Sequence, residues 1–153
     1  MNVERLTHLA DFLDQLDAEK FDMTTFYNKW RDEAGMYHTS ACIAGWACFI
    51  WDKDNWEDYC AEVDNIYSEE PINWEPFSSV KAVLGLTDRQ GSVLCYCNGK
   101  GESDWKTLLD ELYARDLHDS QITPKMAAKV IRHLIKTGIV DWSKAFEKEG
   151  EAA

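Results

Sequence analysis

The chain has 153 residues, of which 45% are hydrophobic, with 16 Lys and Arg against 28 Asp and Glu. This length and apolar share suit one ordinary domain with a real core and exclude global disorder. The formal charge of −12 repels nucleic-acid phosphates and anionic membranes, so the expected partner is a basic or neutral protein, with no direct nucleic acid and no membrane.

Leu6, Leu9, Leu13 and Leu16 recur at three- and four-residue steps, with Glu4, Asp11 and Asp14 turned away from them. That spacing predicts an amphipathic first helix. Phe21 to Tyr37 mixes aromatics with Thr, Asn and Gly and reads as a packed connection. Cys42 to Trp51 is the longest apolar run and has no polar face. Ala and Gly at its centre favour a buried helix over a strand, with Thr39 or Ser40 as N-cap. Gly45 inside it suggests a close approach by a neighbouring element. Residues 52–75 carry nine carboxylates and one Lys, so two-thirds of the net charge lies in one segment. Trp56, Tyr59, Ile66, Tyr67 and Trp74 are interleaved with those acids.

Ser79 to Leu86 reads as a helix closing at Gly85, and Thr87 with Gln90 forms a capping box for the next. Val93 to Cys97 continues that helix or ends it as an extended piece. Asn98 to Gly101 is a turn, and Ser103 caps a helix through Leu108, Leu109, Leu112 and Tyr113. The last helix carries the fullest set of signals: Thr123 as N-cap, Pro124 at the first helical position and Gly138 as terminator. Met126, Ala127, Val130, Ile131, Leu134 and Ile135 make its apolar face, opposite Lys125, Lys129, Arg132 and Lys136. Val140-Asp-Trp142 is expected to fold back onto the core before a frayed polar end. The reading is an all-α fold: one domain, 1–153, of five to seven helices around a buried central helix.

Five Cys without regular spacing give no disulfide framework, and the N-terminus lacks the apolar stretch of a signal peptide. The ten-residue apolar run is too short to span a bilayer. A cytoplasmic protein with reduced thiols follows.

Three kinds of site are considered. A thiol enzyme would use Cys42 at a helix start with His38 as base. The apolar run around Cys42 argues instead for a small buried hydrophobe. Zinc on His38, Cys42, Cys95 and Cys97 is disfavoured by the single-residue gap between the last two. The acidic segment lacks the Gly and register of a calcium loop. No metal, cofactor or catalytic residue is therefore assigned. The binding surface expected is Asp52, Asp54, Trp56, Glu57, Asp58, Tyr59, Glu62, Asp64 and Trp74, where rings amid carboxylates suit Lys and Arg. A plain solvated face is the competing reading of the same acids.

Thr39-Ser-Ala-Cys-Ile-Ala-Gly-Trp-Ala47, Leu84-Gly-Leu-Thr87, Ile122-Thr-Pro124 and Thr137-Gly-Ile-Val-Asp-Trp142 resemble an uncharacterised family of small phage and bacterial proteins with a Cys-x-Ala-Gly-Trp/His motif. Tyr37-His38 stands where that family carries Cys-Gly, so no role needing two cysteines there transfers. The resemblance implies a phage setting inside a bacterial host cell and no activity.

The functional expectation is a non-enzymatic acidic binding protein, a phage-type inhibitor of a host defence or nucleic-acid-binding protein, acting as a DNA mimic in charge. The alternatives are a small-molecule sponge with an aromatic pocket and the thiol or metal enzyme. The acids of 52–75 and the four cations of 123–138 would also attract each other, within one molecule or between copies as a homodimer.

Overall fold

The computed structural model describes residues 1–24, 28–53, 75–95, 105–148 and 150. Among them the chain is all-α, with six α-helices and one short hairpin.

Helix α1 (Val3–Gln15) starts where the Asn2 side chain accepts from the Arg5 amide, 3.1 Å. It buries Leu6, Leu9, Ala10 and Leu13, the stripe the leucine spacing predicts. The chain then pairs as a hairpin, β1 (Asn28–Arg31) against β2 (Tyr37–Ser40), antiparallel, with Asn28 opposite Ser40 and Arg31 opposite Tyr37. This corrects the reading of 21–37 as a connection alone. Four-residue strands of mixed polarity show no alternation long enough to read. Their turn is closed by Asp32, whose carboxylate accepts from the Met36 amide at 2.9 Å.

Helix α2 (Ile43–Trp51) has Ile43 to Cys48 buried, as expected of a central helix. Thr39 and Ser40 are not its N-cap. Both belong to β2, and Cys42 takes the cap position without a side-chain cap bond. Helix α3 (Glu75–Leu84) packs on α2, and α4 (Asp88–Cys95) follows after a two-residue turn beyond Gly85. The Thr87–Gln90 box forms in both directions, at 3.1 and 3.0 Å. Val93, Leu94 and Cys95 are buried helix; Tyr96 and Cys97 lie outside the described residues, as does the turn at 98–101.

Helix α5 (Leu108–Arg115) is capped by Thr107, which accepts from the Asp110 amide at 3.2 Å. Ser103, the expected cap, lies outside the described residues. A tertiary tie sets the true start: Lys106 bridges the extended chain at Asp141, and the Trp142 amide donates to the Lys106 carbonyl at 3.1 Å. Of the four apolar residues read as this helix's face, Leu108 and Leu112 are buried, while Leu109 and Tyr113 are exposed.

Helix α6 (Pro124–Thr137) keeps every predicted signal: the Thr123 cap, Pro124 at its start, and Gly138 in the left-handed region at φ 76°. Ala127, Ala128, Val130, Ile131 and Leu134 are fully or almost fully buried, against α1 and the final 3₁₀ turn, Trp142–Phe146. Its main partner is thus α1, held also by Arg132, which bridges Asp11 at 2.9 Å and Asp14 at 2.6 Å. No helix among the described residues is long and apolar enough to cross a membrane.

The N-terminus closes the end of α3. The Asn2 amide donates to the Leu84 carbonyl at 2.8 Å and Arg5 Nη1 to the Val83 carbonyl at 3.0 Å, satisfying two C-terminal orphans. Gly85 makes this approach feasible: its φ is +63°, and an added Cβ would lie 2.9 Å from the Asn2 nitrogen. Gly85→Ala is therefore expected to cost roughly 1–3 kcal/mol, from a left-handed non-glycine residue plus displaced backbone. Urea unfolding followed by circular dichroism measures it; a variant as stable as the parent would show that the N-terminal contact yields freely.

Candidate functional site

Residues 54–74 of the charged segment lie outside the described residues, and the helices on either side of them, α2 and α3, pack together. Asp52 terminates α2, its amide donating to the Cys48 carbonyl at 2.7 Å. Its carboxylate accepts the Ser79 hydroxyl of α3 at 2.6 Å. Lys53 sits over the Phe49 ring, 5.2 Å from its centroid. At one end of the acidic run Asp52 is thus held between α2 and α3, and at the other Glu75 begins α3. Of the expected binding residues, Asp52 is placed, half-buried and serving as a staple between helices. Asp54, Trp56, Glu57, Asp58, Tyr59, Glu62, Asp64 and Trp74 lie outside the described residues.

The thiol site has the opposite character to a reactive one. Cys42 is 4% exposed, and burial pushes its pKa up to about 11. The first-turn amides of Gly45 and Ala44 pull the other way, and burial wins. A thiol held protonated is a poor nucleophile at neutral pH. His38 is engaged in its own hairpin, with Nε2 2.7 Å from Asp32 Oδ2. That hydrogen bond, more than the Met36 amide, holds the Asp32 carboxyl below the usual carboxylate range. Among the described residues, no three His, Cys, Asp or Glu side chains gather as a metal would require. Cys97 lies outside them.

Aromatic rings do gather, but against each other. Phe12 of α1 meets Trp46 at 5.3 Å, Trp46 meets Phe49 at 5.5 Å, and His8 meets Trp51 edge-on at 5.6 Å. Arg5 lies 5.8 Å from the Trp51 ring, and the Trp46 indole donates to the Lys20 carbonyl at 3.0 Å. These rings fill the space between α1 and α2. Beside them a groove of about 420 Å³ runs along α1, lined by His8, Asp11, Phe12, Gln15 and Leu16. Among the described residues its apolar floor is two side chains, Phe12 and Leu16, which is less than a stacking pocket needs.

No family model, curated protein or solved structure matches this chain. Its role has to be argued from its own residues.

By its sequence the basic stripe of α6 lies opposite the apolar face and would attract the acids of 52–75. Arg132 instead clamps Asp11 and Asp14 of α1. Lys125 and Lys136 are exposed and Lys129 is half-buried. Sequence reasoning missed where the stripe continues. Lys144 and Lys148, placed in a frayed tail, are brought beside Lys129 and Arg132 by the turn over buried Trp142. The available signal was their four-residue spacing directly after that Trp.

Proposed function

We propose that this protein is a non-enzymatic binding protein whose acidic 52–75 segment engages a basic surface of another protein. The observation that carries this reading is confinement. Two-thirds of the net charge is concentrated in sequence between Asp52 and Glu75, and the helices that flank this stretch pack together. Charge concentrated in one short stretch of chain steers a cationic partner and rejects anionic ones. Burial of Cys42, which pushes its thiol pKa up, adds support by weighing against the thiol-enzyme alternative. In the phage setting that the sequence resemblance implies, the partner would be a host protein with a nucleic-acid-binding or otherwise cationic face.

The test is capture of a partner from bacterial lysate, followed by affinity measurement on the purified pair. Asp54, Glu57, Asp58 and Glu62 are changed to Asn or Gln, while Asp52 is kept because it bonds Ser79. Four rim charges at roughly 0.2–1 kcal/mol each predict an affinity loss of about tenfold or more. Raising salt from about 0.05 to 0.5 M should weaken the pair mainly through slower association. A partner held equally well by the variant and in high salt would remove the acidic segment as the working surface.

A further inference from the structure

The C-terminal 3₁₀ turn lies against α6, and between them is a cleft of about 250 Å³ lined by Lys129, Arg132, His133, Lys144, Glu147 and Lys148. Among the described residues that line it, four cations and an imidazole face one carboxylate, in a chain whose total is −12. The contacts these cations already make fix their positions without exhausting them. Lys129 Nζ donates to the Glu147 carbonyl at 2.9 Å, and Lys144 Nζ to the Glu147 carboxylate at 2.5 Å. Arg132 uses one nitrogen, Nη2, for both Asp11 and Asp14. An ammonium has three N–H donors and a guanidinium five, so each of the three keeps donors for a further acceptor. Side chains already held in place also lose less rotamer entropy when they bind.

We propose that this cleft is a binding site for a small phosphate-type oxyanion. A tetrahedral anion can accept from donors that approach from α6 on one side and from the 3₁₀ turn on the other. Glu147 holds both lysines and keeps the Lys144 ammonium firmly charged, its carboxylate raising that pKa. The size of the cleft and the charge of the chain set the ligand class together. A nucleic-acid strand would meet the field of the whole acidic surface, whereas an ion that enters the cleft meets mostly its lining. This site is independent of the acidic segment, and either can fail without the other.

The test is an NMR titration of the full chain with inorganic phosphate, using sodium chloride to keep ionic strength constant. Saturable shifts confined to residues 129–133 and 144–148 are expected. Lys148→Gln, an exposed position, should weaken binding roughly three- to tenfold without moving the thermal midpoint. Lys129→Gln combined with Lys148→Gln should abolish saturation. Shifts that stay linear, spread over the surface, or appear equally with chloride would overturn the site. So would saturation unchanged in both variants.

Discussion

Replacing Trp142 with Ala is expected to lower the unfolding free energy by roughly 3–5 kcal/mol, the usual range for emptying a fully buried Trp site. Trp142 is 0% exposed and the largest fully buried side chain among the described residues. Its backbone ties to Lys106, and its indole Nε1 donates to the Val93 carbonyl at 2.8 Å. Val93 stands in the last turn of α4, and the indole supplies a donor to its carbonyl there. Trp142→Phe separates the two contributions. It keeps most of the apolar contact but removes the indole donor from that carbonyl, at about 1–3 kcal/mol. Urea unfolding with an unchanged slope would measure both. If the Phe variant matched the parent, the indole bond would carry no weight and the Ala loss would be cavity alone.

The elements legible in the sequence are those decided within a few residues. Thr123, Pro124 and Gly138 bound α6 because capping and left-handed termination are local chemistry. Thr87 and Gln90 satisfy each other's amides across one turn for the same reason. What escaped is decided at a distance. Thr39 and Ser40 look like helix caps until Lys29 and Asn28 pair with them across the hairpin. Thr107 starts α5 where the bridge between Lys106 and Asp141 ends, a contact across more than thirty residues. The candidate site divides the same way. The acidity of 52–75 is plain composition, but the staple role of Asp52 depends on Ser79, 27 residues away. The basic cleft needs Lys144 and Lys148 folded back over Trp142 onto α6, which neither stripe announces by itself.

Cys42 should behave as a core residue with a pH-dependent signature. At pH 8 a thiol of pKa about 11 is roughly 0.1% thiolate, against roughly a tenth for one at the ordinary 9.0. Alkylation of Cys42 in the native protein, mapped by mass spectrometry, is therefore expected to run about 100-fold or more slower than that of an exposed thiol. The same burial has a thermodynamic side. The folded state holds this proton more tightly than the unfolded chain. The stability contribution is thus fully present below pH 9 and is lost as pH rises through about 11. The loss approaches about 3 kcal/mol, which follows from the raised thiol pKa. Cys42→Ala removes this component, so the difference between its alkaline unfolding profile and the parent's should open above pH 9. The other buried thiols, Cys48 and Cys95, are common to both profiles and cancel. Alkylation at the rate of an exposed thiol, or identical alkaline profiles for parent and variant, would mean that the Cys42 sulfur meets solvent. The pairing of Cys42 with His38 as nucleophile and base would then have to be reopened.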